Sequence, residues 1–191
     1  MPYGCLLRLV ERESGGVAGR VAIVGSPSGH AAGLCQVTPI ALEEYNRLNP
    51  GAGIPLASMM GMDASSARIQ LRVGSFLWMV GAHRWATTAP NRYQCAVLAD
   101  LQYARGGGAL RKLVEEAGAA GYAATLDGLR SFRPEWGSPE RPFSHAEFVA
   151  GGIDDPGPGP IPAVEPSTTT LIGIGVIAGL GLLLLLIGWI R

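Results

Sequence analysis

The chain has 191 residues, a length that fits one domain with additional segments. Hydrophobic residues make up 48% of it and charged residues 16%, which excludes a wholly disordered chain. Because 15 basic residues balance 15 acidic ones and no basic run is present, we expect no nucleic-acid partner. Cys5, Cys35 and Cys95 are odd in number and widely spaced, so we expect small buried residues, without a disulfide framework, a metal site or a cofactor.

Residues 1–152 predict an all-α domain, because no alternating strand pattern of useful length occurs in them. The first helix is predicted over residues 3–14 and ends where Gly15 and Gly16 permit a left-handed exit. Its apolar face consists of Leu6, Leu7, Leu9 and Val10. A loop follows over residues 15–33. Thr38 and Pro39 then open a helix that continues over residues 40–48.

Four further helical segments follow before the domain ends. Asp63 is the predicted N-cap of a helix over residues 63–85, with a buried stripe of Ile69, Val73, Phe76, Leu77 and Val80. The other predicted helices cover 92–104, 110–120 and 122–131, and Gly106, Gly107 and Gly108 separate the first two. In the helix over 110–120 the inward residues are Leu113, Val114 and Ala117. The segment 132–152 is predicted to be irregular, with Trp136, Phe143 and Phe148 packing back onto the domain.

The last part of the chain predicts a tether and a membrane anchor. Residues 153–169 are rich in proline and glycine, which is typical of a linker. Residues 170–191 predict a transmembrane helix, because the 20 uncharged residues 171–190 would span about 30 Å of lipid bilayer as a helix. Gly175 and Gly179 form a spacing through which such helices can pair. Early charges such as Arg8 and Glu11 break the apolar N-terminal run, so we expect no secretory signal there.

Glu13 is the candidate catalytic residue. It comes at the end of an apolar helix, directly before Ser14 and Gly15. A carboxyl group partly surrounded by apolar side chains keeps its proton to higher pH and can act as a general acid. The alternative is that Glu13 is one more solvated charge.

Three motifs give Glu13 its context. Glu13-Ser14 is followed by Ser26-Pro27-Ser28-Gly29 and by the run from Ala31 to Pro39, AAGLCQVTP, and later by QYARGGG at residues 102–108. In order and approximate spacing, these motifs resemble the lytic transglycosylases of the soluble lytic transglycosylase type, which have the goose-lysozyme-like fold. The resemblance covers residues 6–116.

The chain departs from the pattern of that family at four places. His30 is an extra residue in the second motif, Cys35 stands for a methionine, Gln70 for an asparagine, and Ala104 for the asparagine that follows the tyrosine of the last motif. Loss of that last asparagine removes a polar contact near the site.

The resemblance implies that Glu13 is a single catalytic acid and base acting on a peptidoglycan glycan strand. Glu13 would protonate the oxygen between N-acetylmuramic acid and N-acetylglucosamine, and then deprotonate the muramic 6-hydroxyl, giving a 1,6-anhydro sugar. The substrate-binding residues implied in the same way are Ser14, Gly33, Gln36, Tyr103 and Gly106, with Tyr103 holding the rotamer of Glu13.

Two other functions stay open. A muramidase on the same fold would use water and a second carboxylate, for which Glu43, Glu44 or Asp100 are candidates. A wall-binding or structural membrane protein would not cleave at all. The expected partners are the glycan strand and a lipid bilayer. The expected location is a single-pass membrane protein in the virion membrane of a bacteriophage, or in the inner membrane of its host.

Overall fold

The computed structural model describes residues 1–22, 30–137 and 142–154. These residues are mostly helical and contain no β-strand, which confirms the all-α class; two isolated antiparallel bridges join Ala32 to Val21 and to Val37. A 3-10 helix covers Pro134–Gly137. The α-helices of the described part are α1 (Tyr3–Ser14), α2 (Pro39–Leu48), α3 (Leu56–Met60), α4 (Ala64–Trp85), α5 (Arg92–Arg105), α6 (Gly107–Ala119), α7 (Leu126–Phe132) and α8 (Pro142–Ala150).

Four of the helices begin at a side chain that caps them. The side chains of Thr38, Asp63, Asn91 and Thr125 each accept a hydrogen bond from a backbone N–H in the first turn of α2, α4, α5 and α7. Gly15 ends α1 with a φ of 64°, a left-handed conformation that glycine adopts at little cost. The predicted bounds of α1, α2 and α4 are therefore confirmed, as are the N-cap at Asp63 and the helix start at Thr38 and Pro39.

Helix α5 lies at the centre of the domain and packs mainly against α4 and α8. All six residues from Ala96 to Leu101 are buried, Asp100 among them. On α4, Gly81 lets the two helices approach closely, because a Cβ there would lie 3.1 Å from the carbonyl oxygen of Ala99. A charged residue inside such a helix needs a partner, which α8 supplies.

The buried face of α4 differs from the predicted stripe. Of the five predicted residues only Val73 is buried, and Ile69, Phe76, Leu77 and Val80 are half-buried. The buried residues of α4 are Gln70, Val73, Gly74, Trp78, Gly81 and Trp85. Its glycines decide this orientation, since a Cβ on Gly74 would collide with the side chain of Cys35. Apolar periodicity alone does not show that a glycine-lined face packs more closely.

Three further predictions were wrong or shifted. Only Gly106 separates α5 from α6, because Gly107 and Gly108 already belong to α6. The helix predicted over 122–131 is α7, which begins four residues later. The segment predicted to be irregular contains the 3-10 helix and α8, because Phe143, Ala146 and Val149 recur at helical spacing and are buried.

The predicted tether and the predicted membrane anchor fall mostly outside the described residues. No helix within residues 1–22, 30–137 and 142–154 is both long and apolar enough to cross a membrane. Only the first two residues of the predicted linker 153–169 are described, and the predicted membrane segment 170–191 lies outside the described residues. Residues 26–29 of the second motif also lie outside them.

Candidate active site

Glu13 lies in the last turn of α1, two residues before the left-handed glycine that ends it. Its side chain is 22% exposed, so the carboxylate is largely enclosed yet reachable. The oxygen Oε1 lies 3.2 Å from Nε2 of His145, on α8. This is an ion-pair distance, although the ring nitrogen is not aligned for a hydrogen bond. Glu13 is therefore paired with a base that the sequence motifs do not contain.

The other ring nitrogen of His145 binds a second carboxylate. Nδ1 of His145 lies 2.6 Å from Oδ2 of Asp100, a short hydrogen bond buried between α8 and α5. Asp100 has no exposed surface, and the side chain of His145 is 11% exposed. Three helices thus assemble a Glu13–His145–Asp100 cluster, with the imidazole between the two carboxylates.

The surroundings of this cluster favour a charged imidazole. Burial lowers the pKa of His145, but the hydrogen bond to Asp100 and the pairing with Glu13 outweigh it and raise the pKa to about 9. Burial raises the pKa of Asp100, an effect that the bond to His145 partly offsets. At neutral pH His145 is therefore an imidazolium, which balances part of the charge of Asp100, and of Glu13 when Glu13 is ionised.

Trp78 borders the cluster from α4. Its indole lies near enough to Asp100 to lower the pKa of that carboxyl, against the larger effect of burial. Its N–H nevertheless forms no hydrogen bond of ordinary geometry, and Trp78 Nε1 and Asp100 Oδ1 have no partner among the described residues. Buried polar groups usually have a hydrogen-bond partner, so these two atoms are exceptions within the described residues.

A cavity of about 540 Å³ opens beside the end of α5. Its wall is formed by α2, by the second half of α4, by the segment 36–38 and by the turn at 106–108. Apolar side chains such as Ile40, Leu77 and Val80 line it together with the charged Glu44, Arg84 and Arg105. The volume lies within the range of ordinary ligand sites, which combine an apolar wall with a few polar groups.

Three of the predicted substrate-binding residues, Gln36, Tyr103 and Gly106, line this cavity. The hydroxyl of Tyr103 donates a hydrogen bond to the carbonyl oxygen of Cys35, 2.6 Å away. Burial, followed by the neighbouring Cys35, Glu13 and Asp100, raises the pKa of Tyr103 well above its ordinary value. Glu13 does not line the cavity itself, but it acts electrostatically on Tyr103, which does.

Gln36 has a φ of 48°, a left-handed conformation that is unusual for any residue except glycine. Its Nε2 donates hydrogen bonds to the carbonyl oxygens of Arg20 and Gly33, at 2.9 and 2.8 Å. Both N–H groups of the amide are thereby used, and Oε1 accepts no hydrogen bond from the residues that the structure describes. Gly106, with a φ of 84°, ends α5 and also lines the cavity.

The other two predicted substrate-binding residues, Ser14 and Gly33, are buried in the framework and do not line the cavity. The hydroxyl of Ser14 donates to the carbonyl oxygen of Val10 and accepts from the N–H of Gly16, which secures the end of α1. Gly33 has a φ of 82°, and a Cβ there would lie 2.8 Å from Gln70. Ser14 thus stabilises the end of α1, and Gly33 supports the loop that carries Gln36.

His145 and Asp100 belong to the candidate site but lie outside the three sequence motifs. Asp100 was one of three candidates for a second carboxylate, whereas His145 lay in the segment predicted to be irregular. A usable signal was present in both places, since Asp100 interrupts an apolar helical run and the helical spacing of Phe143, Ala146 and Val149 predicts α8. A buried carboxylate needs a cationic or donor partner, and His145 is the nearest titratable residue on that helix.

Within the described ranges no three His, Cys, Asp or Glu side chains are arranged to hold a metal ion. Comparisons with protein-family models, with curated proteins and with solved structures found no significant match to this chain.

Proposed function

We propose that this protein is a peptidoglycan lytic transglycosylase on a lysozyme-like helical domain, with Glu13 as its acid and base. The support for it is the largely enclosed carboxylate of Glu13 beside Tyr103, which lines a cavity of about 540 Å³. The three sequence motifs that resemble this family contribute Glu13, Gln36 and Tyr103, and these residues come from distant parts of the chain to one region of the domain.

The reaction needs one carboxyl group in two protonation states. Glu13 gives its proton to the glycosidic oxygen, the bond from C1 to that oxygen breaks, and the substrate's N-acetyl group stabilises the positive charge that develops at C1. The carboxylate of Glu13 then takes the proton of the muramic 6-hydroxyl as that oxygen bonds to C1. No water is consumed, and Glu13 ends the cycle protonated as it began.

A single working carboxylate agrees with the burial of Asp100. A glycosidase with two carboxylates places both at the scissile bond, about 5–10 Å apart. Asp100 has no exposed surface and lies behind the imidazole of His145, so it cannot touch a sugar. In this proposal Asp100 acts only through His145.

The decisive experiment compares products from purified peptidoglycan by mass spectrometry. The full chain in detergent micelles should release 1,6-anhydro muropeptides, and Glu13→Gln should lower the rate by about 100-fold or more, since an amide cannot exchange the proton. Glu11→Gln is the matched control, because Glu11 is exposed on the same helix. Equal loss in both variants, or none in Glu13→Gln, would contradict the proposal.

A muramidase is the second candidate, and Glu44 is the observation that favours it. Glu44 lines the same cavity from α2, although Arg47 holds its carboxylate with two hydrogen bonds of 2.7 Å. If Glu44 activates a water, the products are heavier by one water and Glu44→Gln loses activity. The lytic transglycosylase proposal expects Glu44→Gln to resemble Glu43→Gln, its exposed neighbour. If neither wild type nor variants release fragments, a wall-binding or structural role follows.

The proposal also includes a membrane. The sequence of residues 171–190 supports a single-pass anchor, and residues 153–169 support a tether that lets the domain reach a polymer which does not diffuse. A phage virion membrane, with the enzyme opening the cell wall at entry, is the setting we propose. The protein should then be present in purified particles.

A further inference from the structure

The Glu13–His145–Asp100 cluster contains two residues that the proposed reaction does not use. His145 and Asp100 contact each other at 2.6 Å, and His145 contacts Glu13 at 3.2 Å. Burying charged groups costs free energy even when they are paired, and an apolar trio of similar size often stabilises a core as well or better. A cluster that ends at the candidate catalytic carboxylate therefore calls for a functional reason.

We infer that His145 is the positioning residue of Glu13: as an imidazolium oriented by Asp100, it holds Oε1 and leaves Oε2 to exchange protons with the glycan. This inference rests on the proposed function. The short bond from Asp100 fixes the ring, and Nε2 then lies 3.2 Å from Oε1 of Glu13. The two oxygens of the carboxyl group become unequal before the substrate binds, which saves the reorganisation that a freely rotating side chain needs.

The charge on His145 acts in the same direction through the cycle. When Glu13 gives its proton to the leaving oxygen it becomes a carboxylate, and a fixed positive charge 3.2 Å away stabilises that product. No proton passes through His145, so the ring keeps its charge while Glu13 alternates between acid and base.

Further charged and titratable groups near the cluster come from several of the helices around it. Glu13 and Cys5 belong to α1, Asp100 and Tyr103 to α5, and Trp78 on α4 adds an indole dipole. On the outer side of α8, Glu147 pairs with Arg130 of α7 at 2.9 Å. The two carboxylates of the cluster are the groups in direct contact with the imidazole, and removal of either one should weaken its hold on the proton.

Nuclear magnetic resonance tests the charge state without any activity measurement. In the full chain in detergent micelles, the ring nitrogens of His145 should titrate near pH 9, and the titration should move to lower pH in Glu13→Gln and in Asp100→Asn. The signals of His30 and His83, which lie outside the cluster, are the internal reference. Titration of His145 near its ordinary pKa of 6.5 in all three proteins would overturn the inference.

Kinetics test whether that charge serves the reaction. Wild-type turnover should decline as the pH rises through about 9, and in Asp100→Asn the decline should begin at lower pH. His145→Gln keeps a neutral donor but no charge. Its kcat should fall by roughly 100-fold, the loss typical of misplacing a reacting group by about 1 Å, with KM little changed and no decline near pH 9.

The outcomes separate this inference from the proposed function. If wild type releases anhydro products while His145→Gln shows the same kcat and the same decline near pH 9, the inference is wrong and the proposed function stands. If wild type releases no fragments, both are wrong, even where the titration finds His145 charged. Circular dichroism melting of each variant shows whether a loss of turnover merely reflects unfolding.

Discussion

At the scale of single residues, His145 couples the stability of the fold to pH. Its pKa is about 9 in the folded protein and about 6.5 in an unfolded chain. The folded state therefore holds the proton more tightly. The resulting stabilisation, on the order of 3 kcal/mol, is fully present below pH 6.5 and is lost as the pH rises through about 9. The free energy of unfolding should fall across this window.

Urea unfolding at pH 6, 8 and 9.5 checks this prediction. Other groups titrate nearby: burial lowers the pKa of the N-terminal amine of Met1, and burial raises the pKa of Cys5 to about 11 and of Cys35 to about 12. His145→Gln keeps all of these, so the difference between the two proteins isolates His145. A wild-type decline no steeper than that of His145→Gln would show that the imidazole is not charged in the folded state.

Part of the candidate site could be predicted from the sequence. Four of the predicted site residues lie in the motifs: Glu13, Gln36, Tyr103 and Gly106. The last three line one cavity, and Glu13 acts electrostatically on Tyr103. Ser14 and Gly33 belong to the same motifs, yet both are buried and do not line the cavity. Ser14 stabilises the end of α1, and Gly33 supports the loop that carries Gln36. A motif records which residues recur together, and it does not show which of them face a ligand.

The helix that carries His145 could be predicted, but the contacts of His145 could not, because its two partners are distant in the chain. It pairs with Asp100 across 45 residues and with Glu13 across more than a hundred. Contacts of that kind depend on how α8 docks against α1 and α5, which no local pattern determines. Asp100 was considered only as a candidate second carboxylate, together with Glu43 and Glu44.

At the scale of elements, Gln70 joins α4 to three other segments. Its Oε1 accepts from the N–H of Leu34 at 2.9 Å and from that of Gly19 at 3.4 Å. Its Nε2 donates to the carbonyl oxygens of Gly61, at 2.8 Å, and Ser58, at 3.2 Å. The side chain is fully buried, so all four contacts are made in a medium where an unpaired group is expensive.

Gln70→Leu keeps most of the volume and removes every one of these contacts. We expect the free energy of unfolding to fall by about 2–4 kcal/mol, because the N–H of Leu34 is left buried without an acceptor. Gln94→Leu is the matched control, since Gln94 accepts one hydrogen bond, from the N–H of Leu126. Its loss should be about 1 kcal/mol. Equal losses in urea unfolding would mean that Gln70 does not hold the segments together.

The helices themselves were largely predictable, and their packing was not. Caps at Thr38 and Asp63 and the exit at Gly15 are local chemistry, and they set the bounds of α1, α2 and α4. The buried face of α4 depended instead on where Gly74 and Gly81 allow a neighbour to approach. A hydrophobicity pattern counts glycine as neutral, although here it decides which side of the helix meets the core.

At the scale of the whole molecule, the described domain and the apolar segment 171–190 differ in where they carry charge. The domain buries its charged cluster within a helical core, while residues 171–190 carry no charge at all. Between them, the 13 residues 154–166 could extend to about 40 Å at ~3.1 Å per residue. If the proposed function holds, such a tether would let the domain act on a glycan strand at a distance from the bilayer.

Membrane attachment can be tested by changing the apolar segment alone. The full chain should stay in the membrane pellet after an alkaline carbonate wash, and the double variant Leu180→Arg with Leu184→Arg should not. Each arginine near the middle of a spanning helix costs about 2.5–3.5 kcal/mol of insertion free energy. Leu180→Ile with Leu184→Ile is the matched control, which keeps the segment apolar and should remain in the pellet. If both double variants sediment equally, attachment does not depend on insertion of residues 171–190, and the tether would then link the domain to something other than a bilayer.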